Sequence, residues 1–306
     1  MRHTFIVNPA AGRGVCQSRL VESLRALDLD VWLTSRPGDA ESRARSLLES
    51  SCGETVRIYA CGGDGTLNEV VNGACGHPGA EVACIPIGSG NDFIRNFNVP
   101  ADSFMDIGKQ LAGEASPVDL IRYRELSGGS ADRYAANIAN IGFDCNVAAN
   151  MAKFKSFPLT SGSAAYILAI LVTLVRKEGA DLLMTFDDGA SHEGRVLFAA
   201  IGNGAYCGGG LKGVPHAALD DGLMDVSVVK DLPRRMFASL FKKYADGTYI
   251  DEERLKSLVI YRKCRKLRVK NSSASRRMGI DGEILPMGDV EFESLPGALR
   301  FSLPKQ

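Results

Sequence analysis

Along the first hundred residues, short apolar runs alternate with stretches of helical periodicity. Thr4–Val7, Val31–Leu33, Val56–Ala60 and Val82–Ile87 read as strands. Helices fit between them: one from the loop 8–14 to about Leu27, then Asp39–Leu48 and Thr66–Ala74. Strands separated by helical patterns of about 10–15 residues predict βαβ units and a parallel sheet. Ligands of such sheets bind beyond the carboxyl ends of the strands. Glycine loops fall at three of those ends: Gly12 and Gly14, then Gly62, Gly63 and Gly65, then Gly88 and Gly90. After about Ser116 the pattern changes. Val118–Tyr123, Leu182–Phe186, Arg195–Gly202, Leu223–Val229, Lys266–Val269 and Val290–Glu293 read as strands divided by turns, with helices near Ala164–Lys177 and Pro233–Asp246. The expectation is an α/β domain over 1–118 and a mostly antiparallel β-sandwich over 119–294. The segment from about 295 to 306 is a candidate to return to the first domain.

Composition narrows the partners. Thirty-six basic residues balance 36 acidic ones, so no whole-molecule basic field exists to hold nucleic acid. Eight cysteines never form C-x-x-C, and Met1 runs through Arg2, His3 and Thr4 into a strand rather than an apolar leader. A reduced, cytoplasmic protein without structural zinc is expected. The longest largely apolar stretch, Ala164 to Val175, has 12 residues with Thr173 among them and is too short to span a bilayer.

The chemistry concentrates in Cys61-Gly-Gly-Asp-Gly-Thr-Leu-Asn-Glu-Val70. Its glycines allow close backbone approach to a ligand. Thr66 with Glu69 three residues on reads as a capping box that starts a helix. A helix N-terminus behind a glycine turn favours phosphate. Asp64 would repel that phosphate unless a cation lies between them, which suggests a Mg²⁺-nucleotide site; the competing reading is an ordinary glycine turn with a surface aspartate. Ile85-Pro-Ile-Gly-Ser-Gly-Asn-Asp-Phe-Ile94 repeats the design, with Ser89 and Gly90 toward phosphate and Asn91 and Asp92 opening a helix. Asn8 and Gly12 would complete the cradle. No G-x-x-x-x-G-K-[ST] occurs, and both attempts at G-x-G-x-x-G fail at the third glycine.

Five motifs in order, Asn8-Pro-x-x-Gly12, Gly62 to Glu69, Pro86-x-Gly-Ser-Gly-Asn-Asp92, Asp220-Asp-Gly222 and Asp281-Gly-Glu283, resemble the diacylglycerol kinase catalytic family, which includes bacterial lipid kinases and sphingosine kinases. The Gly-Gly-Asp-Gly block alone also resembles NAD kinases and is related to phosphofructokinases. The resemblance implies an N-terminal domain of that α/β type, a sandwich behind it, and an active site in the cleft between them. It implies that ATP is surrounded by Asn8, Pro9, Ala10, Ala11, Gly12, Thr34, Gly63, Asp64, Gly65, Thr66, Leu67, Asn68, Glu69 and Ser89. It implies that Asp281 is the general base taking the proton of a lipid hydroxyl. Mg²⁺ would bind in a network of Asp64 and Asp119, although Asp119 also reads as a solvated strand-end carboxylate. A second, structural Mg²⁺ is implied at Asp221 with the carbonyls of Ala218 and Leu223. The same spacing fits a hydrogen-bonded Asp-Gly turn.

Residues 167, 168, 171, 172 and 175 keep helical spacing within the apolar stretch Phe154 to Val175, either as a wall of an acyl-chain path or as a helix packed on the sandwich. Ten Lys/Arg and no Asp/Glu lie between Arg254 and Arg277. Such a run favours peripheral contact with the inner, anionic face of a membrane; alternation at Lys266, Arg268 and Lys270 also fits an exposed edge. The combined expectation is an ATP-dependent, Mg²⁺-using lipid kinase that phosphorylates diacylglycerol or a similar lipid alcohol to phosphatidic acid or an analogue. An NAD kinase-like small-molecule kinase and a non-catalytic lipid or nucleotide sensor are the alternatives. The acceptor and the oligomeric state, a homodimer among the options, stay open.

Overall fold

The computed structural model of the protein describes residues 1–12, 15–129, 131–143, 145–147, 179–273 and 276–306. Four strands start the chain: β1 (Arg2–Val7), β2 (Asp30–Leu33), β3 (Val56–Gly62) and β4 (Ala80–Pro86). They pair in parallel in the order β2-β1-β3-β4. Helices α1 (Val15–Ala26), α2 (Asp39–Glu49) and α3 (Asp64–Ala74) make the crossovers. Period-two alternation sorts the strand side chains into two cores. Ile6, Ile58 and Val82 pack with Leu47 and Val70 on one face, while Phe5, Tyr59 and Ile85 pack with Leu20 and Leu24 on the other. β3, central and covered on both faces, is buried along its whole length.

Two short helices, α4 (Ala101–Met105) and α5 (Ile107–Leu111), lead into the β-rich part. Its strands are β5 (Glu114–Glu125), β6 (Arg133–Ala135), β7 (Ile138–Gly142), β8 (Ala180–Phe186), β9 (Ser191–Gly202), β10 (Tyr206–Cys207), β11 (Leu211–Lys212), β12 (Met224–Lys230), β13 (Val259–Cys264), β14 (Lys266–Asn271), β15 (Arg277–Ile280), β16 (Glu283–Pro286) and β17 (Asp289–Leu303), with helix α6 (Arg234–Asp246) after β12. The ladder β16-β15-β7-β9-β8-β14-β17 is antiparallel throughout. The expected helix at Ala164–Lys177 and the apolar wall from Phe154 to Val175 lie outside the described residues. Among the described residues no helix is long and apolar enough to cross a membrane.

β17 joins the two regions. Its end pairs in parallel with β4 through Phe301 and Val82, and the strand runs antiparallel to β5 with a register shift between Leu295 and Leu299. Leu299 and Phe301 belong to the same core as Ile58 and Val82, and Phe301 stacks on Phe97 at 5.2 Å between ring centroids. The sequence predicts only Val290–Glu293 of this strand, because Pro296-Gly297 interrupts the pattern where the register shifts.

Candidate active site

The three glycine loops meet. Asn8 donates its backbone N–H to the Cys61 carbonyl, and Gly88 donates to the Gly62 carbonyl at 3.0 Å. A Cβ on Gly88 would come within 2.3 Å of Gly63 Cα, and one on Gly12 within 2.3 Å of the Ile87 carbonyl oxygen. Glycine at these positions is what lets the loops touch. Asn8 braces its own loop by accepting from Ala10 N–H and reaches the second by donating to Thr66 Oγ1 at 3.1 Å. Asn91, at φ 52°, donates to the Pro86 and Gly88 carbonyls. Pro9, Ala10, Gly12 and Ser89 are exposed along this rim, with Gly63, Asp64 and Gly65 half-buried beside them and Thr34 just past the end of β2.

Helix α3 starts two residues earlier than the sequence predicts. Gly63 is its N-cap, with no side-chain cap, so the expected Thr66–Glu69 capping box does not form. Glu69 instead reaches the neighbouring helix: its two carboxylate oxygens accept from Gly38 N–H at 2.9 Å and Ala40 N–H at 3.0 Å. It supplies the N-terminal cap of α2, whose own N-cap is a glycine with φ 86° and no capping side chain. Asp64 makes the same kind of contact with the third loop, accepting from Asp92 N–H at 2.7 Å. The helix expected after Asn91 and Asp92 is a single 3₁₀ turn, Phe93–Asn96, and the side chain that caps it is Asp64. Burial pushes the Asp64 carboxyl upward, and the backbone donors act against it.

Asp281 sits in the two-residue turn between β15 and β16, paired across at Ile280 and Glu283. Asp281 has φ 46° and Gly282 φ 89°. Asp-Gly is the dipeptide that tolerates left-handed geometry at both central positions of such a hairpin. The turn points at α3. Glu283 Oε1 lies 3.2 Å from where a Gly65 Cβ would be, and Asp64 Cβ lies 4.0 Å from that of Gly282. The Asp281 carboxylate, 5% exposed, accepts four hydrogen bonds. Oδ1 takes Asn137 N–H and Ile138 N–H; Oδ2 takes Ala136 N–H at 2.8 Å and Asn68 Nδ2 at 2.9 Å. Burial raises its proton affinity while these donors lower it. The catalytic aspartate of the sequence reading is therefore beside the glycine loops and fully engaged; to take a proton it has to exchange one donor, and Asn68 is the side-chain donor among them.

Comparison with known proteins decides the family. Residues 2–123 match the diacylglycerol kinase catalytic domain, and residues 137–303 match the YegS C-terminal NAD kinase beta sandwich-like domain. The chain is similar to the "Probable lipid kinase YegS-like" of Pseudomonas aeruginosa, with 32% identity over 278 residues, 90% of this chain and 85% of that one. The protein of the same name in Xanthomonas euvesicatoria is 29% identical over 285 residues, covering 92% and 88%. This chain belongs to the YegS-like lipid kinases of the diacylglycerol kinase family. A crystal structure of a diacylglycerol kinase from Bacillus anthracis shares its fold, with a TM-score of 0.68 at 22% identity over 98% of this chain and 96% of that one.

Other residues singled out by the sequence of this family member fall elsewhere. Leu67 is in the hydrophobic core, 3% exposed. Asp119 is buried, and its carboxylate accepts from Gly222 N–H at 2.6 Å and Gly297 N–H at 2.7 Å. These bonds tie it to the 218–223 loop and to the register shift in β17, which removes the solvated reading. Asp221 meets an ammonium group rather than an open coordination site, because Lys263 Nζ lies 2.6 Å from its Oδ2. The basic run is largely neutralised: Arg254, Lys256, Arg262, Lys263, Lys266 and Arg268 each pair with an acidic side chain.

The sequence reading missed three contributors. Asn72, one helical turn after Asn68, donates to the Tyr134 carbonyl at 2.8 Å and accepts from Tyr134 N–H, fixing β6 to α3. The glycine-dense segment 202–210 covers the third loop, with Gly209 N–H donating to Asp92 Oδ2. Its density of glycine (202, 204, 208, 209 and 210) is the signal that could have revealed it. A cavity of about 710 Å³ also opens beside the Asp281 hairpin, lined by Tyr123, Arg133, Met278, Glu283, Leu285 and Met287 among others.

Proposed function

We propose that the protein is an ATP-dependent kinase that transfers the γ-phosphoryl group to the hydroxyl of a lipid alcohol, diacylglycerol or a close analogue. The observation that carries this reading is the meeting of three glycine loops with the Asp281-Gly-Glu283 hairpin laid against Gly65. Backbone amides of the loops would hold the phosphates, drawing on Asn8 to Gly12 and on Gly63 to Gly65 at the start of α3. Thr34 and Ser89 stand at the edges of the same rim. Glu69 and Leu67 support the loops through α2 and the core instead of touching the nucleotide.

The family implies Mg²⁺. Asp64 has one carboxylate oxygen engaged by backbone, and the other faces Gly90, where a Cβ would come within 2.6 Å. Asp92 contributes a second buried carboxylate, whose Oδ1 is ion-paired with Arg95 Nε at 3.4 Å. Among the described residues no three metal-ligating side chains stand together. One or two carboxylates plus the phosphates of the nucleotide suit Mg²⁺, so these residues fit it. When bound, the ion neutralises charge on the transferring phosphoryl oxygens. Asp281 would accept the hydroxyl proton as Asn68 yields its bond, and the burial that raises its proton affinity favours that exchange. The cavity beside the hairpin, with apolar Met278, Leu285 and Met287 near Glu283, is the approach for the lipid end of the acceptor. An acceptor of this class brings the enzyme to the inner face of a membrane.

Incubation of γ-labelled ATP with the protein and a lipid extract, with and without Mg²⁺, tests the proposal. Label in the lipid phase that depends on Mg²⁺ is expected. Label in NAD(P) would favour the small-molecule kinase, and ATP binding without transfer to any acceptor would favour a sensor.

A further inference from the structure

Asp221 in the 218–223 loop, Asp225 on β12 and the His216 carbonyl form an oxygen cage that the Lys263 ammonium of β13 already fills. Asp221 turns back on its own loop, with Oδ1 accepting from Leu223 N–H at 3.0 Å. Its Oδ2 accepts from Lys263 Nζ at 2.6 Å. Lys263 lies directly across the β12–β13 ladder from Asp225, whose Oδ2 it bonds at 2.8 Å, and it reaches the His216 carbonyl at 3.5 Å. Three oxygens thus converge on an ammonium group with three hydrogens to give. Asp225 is fully buried, and its remaining oxygen is taken by Tyr261 OH, which in turn accepts from His216 N–H.

The family implies a resident Mg²⁺ on Asp221 and the carbonyls of Ala218 and Leu223, and these residues do not fit it. A Mg²⁺ ion sits about 2.0–2.1 Å from a ligating oxygen. On Asp221 Oδ2 it would share that oxygen with an ammonium nitrogen 2.6 Å away, placing two cations in contact. Lys263 is anchored beside Asp221 by its second bond, to the buried Asp225 carboxylate at 2.8 Å, which would lose its charged partner if the side chain left the cage altogether.

We infer that Lys263 replaces the structural divalent cation of the family, so that this loop is held by a side-chain ammonium and needs no metal. The consequence extends to Asp119, because the same loop supplies Leu219 O to its N–H and Gly222 N–H to its carboxylate. The claim stands apart from the acceptor and from phosphoryl transfer, and its readout is stability.

The test is thermal melting of the full chain, stripped with chelator and free of nucleotide, titrated with Mg²⁺ at constant ionic strength. Wild type and Asp221→Asn should each show no saturable gain that depends on residue 221. Lys263→Met should melt several degrees lower and recover part of that loss on Mg²⁺ addition, and Lys263→Met/Asp221→Asn should lose the recovery. A saturable Mg²⁺ stabilisation of wild type that Asp221→Asn abolishes would overturn the inference. Should Lys263→Met fail to fold, Mn²⁺ binding by wild type, read from its paramagnetic resonance signal, decides the matter: the number of bound ions should be equal in wild type and Asp221→Asn, and one ion fewer in Asp221→Asn would refute it.

Discussion

Replacing Gly88 by alanine tests whether the loops form one cradle. The new Cβ would come 2.3 Å from Gly63 Cα and 2.9 Å from both Gly63 N and Asn91 Oδ1. Carbon atoms rest at about 3.5–4 Å, so the second and third loops must part by about 1.2 Å or more. That separation strains the Gly88 N–H bond to Gly62 O, 3.0 Å, and the Asp92 N–H bond to Asp64, 2.7 Å. A neutral bond contributes about 1 kcal/mol and one to a charged group about 1.5–3 kcal/mol, which gives a loss on the order of 3 kcal/mol. With an unfolding entropy of about 2.1 cal/mol/K per residue, a 306-residue chain melting as one unit should lose about 5 °C. ATP affinity, read by calorimetry on the folded variant, should fall about tenfold or more, since about 1.4 kcal/mol corresponds to each factor of ten. A Gly88→Ala protein that melts with wild type and binds ATP unchanged would refute the convergence of these loops on the nucleotide.

Glu69→Ala should lower stability by about 1–2 kcal/mol by uncapping α2, with ATP affinity changed far less; a selective loss of ATP affinity would return Glu69 to the nucleotide site. Asp39, held by Ser35 and Arg36 hydrogen bonds, has its carboxyl depressed to about 2. A depressed acid stabilises the fold above its ordinary value near 3.8 and loses that contribution as pH falls through 2, so its carboxyl resonance should titrate with a midpoint about 2, and a midpoint near 4 would dissolve the Ser35–Asp39 turn. Asn72→Leu should separate β6 from α3 and cost about 2 kcal/mol through the unpaired Tyr134 groups; an unchanged denaturation midpoint would show that water replaces the amide.

The parallel half was legible because its strands are continuous apolar runs and its loops are marked by glycine. Val56–Ala60 is observed as Val56–Gly62, longer only by the residues that enter the glycine loop. β5 begins at Glu114 rather than Val118, since Pro117 reads as a break. Proline is tolerated there because β6 pairs only with Ile121–Tyr123, leaving Pro117 on the open side of the strand. The candidate site was legible in its residues and not in their bonds. Asp281 and Asn68 are 213 positions apart, so no local pattern announces that the Asn68 amide donates to the Asp281 carboxylate. Glu69 fits a capping box in sequence, yet Asp64 already takes helical geometry and the carboxylate is free to cap the next helix. The lysine on Asp221 was invisible for the same reason: motifs name ligands, and a cation from a neighbouring strand appears only when the ladder is formed.

The most direct measurement compares wild type with Asp281→Asn for transfer of γ-label from ATP to a lipid alcohol, at a temperature where melting shows both proteins folded. The amide keeps the turn but presents hydrogens to Ala136 N–H and Asn68, so a stability loss of about 2 kcal/mol is expected and must be cleared first. Transfer by wild type that falls at least about 100-fold in the variant, with ATP affinity preserved, is the predicted result. A folded Asp281→Asn protein that phosphorylates lipid at the wild-type rate would contradict it.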